Sequence, residues 1–272
     1  MPIPFFEMRR IALTVVLSLA VAGCASADAT EPAPTVAPTT SVAPATITLP
    51  TTATSIATTT TVEQALDVES LPEGSSLVLG AREAVEVFAE PNGIEPTRTL
   101  DSTTILGSTT VLMVLEGPHD GWARVLLPGR PNGAEGWVHA DEMVAFVVDG
   151  KVLIDLSDRT LSYVVGDTEV IATPVGVGSG ANPTPTGTFF VTDSVALTDP
   201  NSPWGPHALG LSARSDTVTE YNGGDGIIGI HGTNNPLSIG RAVSLGCVRV
   251  ANDVITRLHD VVAIGTPVEI RA

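Results

Sequence analysis

Two residues near the C-terminus are of types that do covalent chemistry. His231 and Cys247 stand sixteen positions apart in "HGTNNPLSIGRAVSLGCVRVANDV". Cysteine attacks as thiolate, and a thiol with an ordinary pKa of ~8.5 supplies little of it at neutral pH. A neighbouring histidine lifts that limit by taking the proton or by pairing with the thiolate. Gly246 lets the backbone approach a substrate and present N–H groups, which a developing oxyanion requires. Ser244, Leu245, Gly246 and Cys247 therefore read as a nucleophile with its oxyanion loop.

The other histidines are less well placed. His119 and His139 fall in an upstream module, His207 in the loop "SPWGPHALGL", and His259 on a helix with a solvated face. His231 ends the apolar run "GIIGI" and opens a polar loop, a position that faces a cleft. One cysteine among scattered histidines lacks the close spacing of a zinc site, so no metal is expected.

The elements that position this pair are mostly strands. Between residues 149 and 272, "VLIDLS", "TLSYVVG", "TEVIATPVGVG", "GTFFVTDSV", "GIIGI" and "TPVEI" are bounded by turn residues and rich in β-formers. "NDVITRLHDVV" is the clear helix, with Asn252 as N-cap, Asp253 in the first turn and Gly265 beyond its end. A helix start four residues after Cys247 adds a weak preference for an anion there. Upstream, residues 78–147 hold "EAVEVFAEP", "TVLMVLEG", "GWARVLL" and "EGWVHADEM", short strands that read as a small β-barrel. "DGWARVLLPGRPNGAEGWVHADEM" resembles a bacterial SH3-like module. Trp122 and Trp137 either line a ligand groove or cap the small core, and capping is the plainer expectation.

The N-terminal third reads as an address and a tether. Arg9 and Arg10 precede the apolar run Ile11–Ala22, a length that suits a signal peptide and is short for a membrane span. The run ends in "VAGC", which resembles the bacterial lipobox. The resemblance implies cleavage after residue 23 and lipidation of Cys24, with anchoring at the outer face of the cytoplasmic membrane. Residues 24–77 are rich in Thr, Pro and Ala, with no Lys or Arg between Ala25 and Ala81. Such a segment buries too little to offset its ordering entropy. Fully extended it reaches at most ~170 Å, and as a coil ~40 Å, enough to hold a domain in a cell wall. Lipidated Cys24 would leave Cys247 as a free thiol.

Charge limits the partners. The chain of 272 residues carries a net charge of −17, with 30 acidic residues against 13 basic ones. Lys151 is its only lysine. A phosphate backbone would be repelled, so nucleic-acid binding is excluded.

Residues 149–272 closely resemble the L,D-transpeptidase (YkuD) catalytic domain. His231-Gly232, then Ser244-x-Gly246-Cys247-x-Arg249, follow the family motif, and "PTPTGTFFV" resembles its upstream strand. The resemblance implies a β-sandwich-like fold with a short helix after the nucleophile, no cofactor, and peptidoglycan tetrapeptide stems as donor and acceptor. Cys247 would attack the carbonyl between diaminopimelate and the terminal D-Ala, and an amine of a second stem would resolve the thioester into a 3→3 cross-link. His231 would move the protons, with its ring oriented by the Gly232 carbonyl. Arg249 would either meet a substrate carboxylate or brace the loop. Leu245 departs from the family, where histidine is usual, and a leucine neither titrates nor donates. The base role stays with His231, so Leu245 bears on substrate orientation or loop rigidity. Water as acceptor would give an L,D-carboxypeptidase, another amine a protein-anchoring enzyme, and loss of catalysis a wall-binding pseudoenzyme.

Overall fold

A computed structural model of the chain describes residues 66–199, 201–221 and 223–272. The expected signal peptide, Cys24 and the expected tether up to residue 65 lie outside the described residues.

Seven strands build the first module: β1 (Ser75–Gly80), β2 (Val85–Val87), β3 (Arg98–Leu100), β4 (Val111–His119), β5 (Trp122–Leu126), β6 (Glu135–His139) and β7 (Val144–Asp149). Five form an antiparallel sheet in the order β6-β5-β4-β1-β7, and β2 pairs with β3. Phe88 and Trp137 exchange backbone hydrogen bonds of 2.8 and 2.9 Å, which fasten the end of β2 to β6. The range 24–77 expected for a tether overlaps β1. Leu77, assigned to it, is fully buried in β1. Trp122 is buried against His139, with ring centroids 3.8 Å apart, and takes part in the core.

Strand β1 buries side chains on both faces, as its alternation requires of a doubly covered strand. Leu77 and Leu79 enter the module's own core with Val87, Leu112, Val125 and Val138. Val78 points the other way, into a second core with Val111, Met113, Leu126, Val148 and Phe190. Phe190 belongs to the following module, so the two modules share that core. Gly265, expected only as a residue after the helix, also meets it. It has φ +93, and a Cβ there would lie 2.7 Å from Val78.

The second module contains β8 (Lys151–Asp155), β9 (Thr160–Val165), β10 (Thr168–Pro174), β11 (Val177–Gly178), β12 (Gly187–Ala196), β13 (His207–Arg214), β14 (Ile227–His231), β15 (Ala242–Ser244), β16 (Val248–Arg249), α1 (Asn252–Val261) and β17 (Pro267–Arg271). Eight strands form one sheet in the order β10-β9-β8-β17-β12-β13-β14-β16, parallel only at β17–β8 and β14–β16. A second pair, β11 and β15, is parallel. The fold is mostly β with one short helix, α1, whose Ile255 and Leu258 pack into the main core.

Two local expectations are corrected. The end of "SPWGPHALGL", read as loop, opens strand β13, and residues 209–213 are buried between β12 and β14. Leu209, Leu211 and Ala213 do alternate with Gly210, Ser212 and Arg214 as a strand requires, but Gly205, Pro206 and Gly210 are turn residues that mask the run. Asn252 is not the N-cap of α1. The helix begins at Asn252, and Ala251 holds the cap position with extended backbone and no side-chain bond.

Candidate active site

The parallel pairing of β14 with β16 creates the site. Ile230 pairs with Val248 and His231 with Arg249. Cys247, one residue before β16, is thereby drawn alongside β14, and its Sγ lies 3.9 Å from the Ile227 carbonyl. His231, Ser244, Leu245, Cys247 and Arg249 line one cavity of about 240 Å³, together with Trp204 and Tyr221. The Trp204 ring stands 6.2 Å from the His231 ring, tilted by 46°. Cys247 is a free thiol.

His231 is buried, and its Nδ1 lies 2.6 Å from the Gly232 carbonyl oxygen. A carbonyl only accepts, so Nδ1 carries the proton and Nε2 keeps its lone pair. Burial lowers the pKa of His231 to about 4; the Arg249 charge also lowers it, and the bond to Gly232 opposes both. The imidazole is therefore neutral and basic at Nε2 at physiological pH. Burial pushes the Cys247 thiol up, while a backbone hydrogen bond from Gly229 and the charge of Arg249 oppose that rise. The resting pair is a thiol and a neutral imidazole, not a thiolate–imidazolium pair, so the proton must move during attack.

Arg249 carries no ion pair among the described residues, and its Nε is buried without a partner. A cation left unpaired beside a cavity is suited to receive a carboxylate.

The loop before the nucleophile is held from within. Ser244 is buried; its hydroxyl donates to the Cys247 carbonyl at 2.6 Å and accepts the Gly246 N–H at 3.1 Å. The Gly246 N–H is thus consumed inside the loop and not offered to an oxyanion, contrary to the sequence-based expectation. The Cys247 N–H meets no protein acceptor among the described residues, which leaves it as the candidate donor. Gly246 has φ +123, and a Cβ there would lie 2.8 Å from Ile228 Cδ1. Leu245 is exposed on the cavity rim. Loop rigidity therefore comes from Ser244, and residue 245 offers its side chain only to the cavity.

Three contributors escape sequence reasoning. Buried Thr184, in "PTPTG", donates to the Gly246 carbonyl at 2.7 Å and accepts the Gly178 N–H at 2.9 Å. Asn252 accepts the Thr233 N–H at 2.7 Å and so pins the loop leaving His231. Trp204 supplies an aromatic wall. Only the Pro-Thr-Pro spelling around Thr184 gave a signal, and it carried no role. His259, expected in solvent, is half-buried; it stacks on His207 at 4.1 Å and bonds the Ser194 hydroxyl at 2.8 Å. Neither of those two histidines lines the cavity that holds Cys247. Among the described residues no group of three or more His, Cys, Asp or Glu could hold a metal.

Residues 149–270 match the family model of the YkuD L,D-transpeptidase catalytic domain. YkuD of Bacillus subtilis (strain 168), a protein assigned as an L,D-transpeptidase, is 30% identical over 146 residues, covering 54% of this chain and 73% of that protein. Its counterpart from Bacillus licheniformis is 32% identical over 154 residues, covering 54% of this chain and 85% of that protein. A solved L,D-transpeptidase from Mycobacterium smegmatis superposes with a TM-score of 0.37 at 18% identity, covering 69% of this chain and 99% of that one.

Proposed function

On the premise that the chain belongs to the L,D-transpeptidase (YkuD) family, we propose that it is a peptidoglycan L,D-transpeptidase that forms 3→3 cross-links through a thioester on Cys247. The observation that carries this reading is the shared cavity, into which Cys247 and a neutral, Nε2-basic His231 both open.

The geometry supports the following steps. Nε2 of His231 takes the thiol proton as Sγ attacks the carbonyl between diaminopimelate and D-Ala of a donor tetrapeptide stem. The Cys247 N–H donates to the developing oxyanion. The imidazolium returns its proton to the departing D-Ala amine, leaving the acyl group on Sγ. An amine of a second stem then attacks the thioester and gives its proton to His231, which passes it to the departing Cys247 sulfur as the new amide forms, restoring the thiol and the neutral imidazole. Arg249, unpaired at the cavity, receives a stem carboxylate. No cofactor enters, because the thioester conserves the energy of the cleaved amide. Lipidation of Cys24 and a tether that ends before β1 would place this domain in the wall outside the cytoplasmic membrane, with the SH3-like module beside it.

The test is intact-mass spectrometry of the folded chain with a carbapenem, then with tetrapeptide stems. Stoichiometric acylation lost in Cys247→Ala, and a cross-linked dimer from the stems, is the expected result. Absence of acylation would favour a wall-binding pseudoenzyme, and tripeptide without dimer would favour a carboxypeptidase.

A further inference from the structure

Several of the molecule's exposed large apolar side chains gather at one place. Ile105 (70% exposed), Leu106 (47%), Tyr221 (46%) and Leu245 (51%) all line the cavity that holds Cys247 and His231. They come from three separate segments, and Ile105 and Leu106 belong to the first module. Apolar groups beside a nucleophile leave water only when a ligand with apolar surface covers them.

The tip that carries Ile105 and Leu106 is built to hold its place. Thr104 N–H donates to the Ser108 carbonyl at 2.8 Å, and Gly107 N–H returns to the Thr104 carbonyl at 3.0 Å. The Thr104 hydroxyl accepts the N–H groups of Leu106 and Ser108 at 3.3 and 3.2 Å. The same hydroxyl donates to the buried carboxylate of Asp193 on β12. One side chain therefore closes the turn and fastens it to the catalytic module.

The opposite lip is braced from the first module too. Arg130 donates to the Ser215 carbonyl at 2.5 Å and to the Asp225 carbonyl at 2.6 Å, at the two ends of the loop that carries Tyr221. Tyr221 and Gly224 exchange two backbone bonds of 2.9 Å. Gly224 is bare where the tip arrives; a Cβ there would lie 3.3 Å from Ile105 Cδ1. The tip and the loop thus meet at the mouth of the cavity.

We propose that Ile105 and Leu106 are specificity-determining residues of the acyl-transfer site, so that the first module forms part of the donor-stem binding surface. The class of ligand is an extended peptide with methyl and methylene side chains, which lays its aliphatic edge on Ile105, Leu106 and Tyr221 while its carboxylate reaches Arg249. Thr104 is a positioning residue that acts through the tip. This inference rests on the transpeptidase reading given above.

The experiment uses the full chain and three variants: Ile105→Ser with Leu106→Ser, Thr104→Val, and Thr104→Ser. Donor tetrapeptide KM and kcat are measured, together with carbapenem acylation of Cys247. The double variant is expected to raise KM about tenfold with kcat within about twofold and acylation of Cys247 retained. Thr104→Val should raise KM in the same direction, and Thr104→Ser should restore it. An unchanged KM in the acylation-competent double variant, or a fall in kcat alone, overturns the inference. A wild-type chain that is never acylated overturns the transpeptidase reading itself, and the inference with it.

Discussion

Nδ1 of His231 lies 2.6 Å from the carbonyl oxygen of Gly232, the next residue in the chain. That one bond fixes the tautomer, aims the unprotonated Nε2 away from the backbone, and needs no carboxylate to orient the ring. In place of a buried acid, the site uses the turn of the chain as β14 ends. The turn is itself pinned, because Asn252 holds the Thr233 N–H at 2.7 Å.

The first prediction concerns pH. His231 acts as a base only when neutral, and its pKa is lowered to about 4. Acylation of Cys247 should therefore persist well below the ordinary histidine value of ~6.5 and fall as pH drops through about 4. Stability carries the same signature. Between those two values the unfolded chain binds a proton that the native chain refuses, so stability declines as pH falls across the window and levels off below it. Chemical denaturation at pH 7 and pH 4.5 should show wild type losing roughly 2–3 kcal/mol more than His231→Gln. Equal losses in both proteins would contradict the assignment.

The second prediction concerns Gly246. Alanine there meets a backbone at φ +123 and an Ile228 methyl 2.8 Å from its Cβ. The strain is about 1–3 kcal/mol, and relief requires moving the loop that carries Cys247. Displacing a nucleophile by about 1 Å costs on the order of 100-fold in rate. Gly246→Ala should fold with a lowered Tm and acylate about 100-fold more slowly, as read by stopped-flow carbapenem binding.

The contrast between what is legible in the sequence and what is not has physical causes. His231 and Cys247 are legible because such residues are scarce and sit at a strand end and in a glycine loop. Most strands are legible because they alternate on a half-buried sheet or run apolar between turns. Strand β13 is less so: Leu209, Leu211 and Ala213 alternate correctly, but Gly205, Pro206 and Gly210 give the stretch the spelling of a turn. Thr184 and Asn252 are short polar residues whose roles depend on partners 62 and 19 positions away. The shared core is hidden for another reason. "SLVLG" and "GTFFV" read the same whether one face or two are covered, and only the packed structure shows Val78 and Phe190 together.

The third prediction concerns Leu245. Its side chain stands at the cavity rim, and the loop's internal bonds come from Ser244 and Thr184 instead. Leu245→His should leave stability within about 0.5 kcal/mol, as for an exposed position. Carbapenem acylation should change by no more than about threefold, and any larger effect should fall on donor KM. A rise from no turnover to robust cross-linking in Leu245→His would show that residue 245, not His231, supplies the missing proton transfer.

The fourth prediction separates two adjacent phenylalanines. Both are buried on β12, but alternation sends Phe189 into the catalytic core and Phe190 into the core shared with Val78, Met113 and Leu126. Truncating either to alanine removes a large buried ring at a cost of about 3–5 kcal/mol. The consequences differ. Trp122 and Trp137 report on the first module and Trp204 on the second. Phe189→Ala should lower one urea transition in which both modules unfold together, because the shared core still couples them. Phe190→Ala removes that coupling, so Trp204 should lose its native environment at a different urea concentration from Trp122 and Trp137. With the shared core broken, polar contacts must hold Ile105 and Leu106 over the cavity: Thr104 to Asp193, Arg130 to the Ser215 and Asp225 carbonyls, and Asn132 donating to the Arg214 carbonyl at 2.7 Å. Donor KM should then rise before either module unfolds. A single coincident transition in Phe190→Ala, with donor KM unchanged, would show that the polar contacts of Thr104, Arg130 and Asn132 join the modules without help from the shared core.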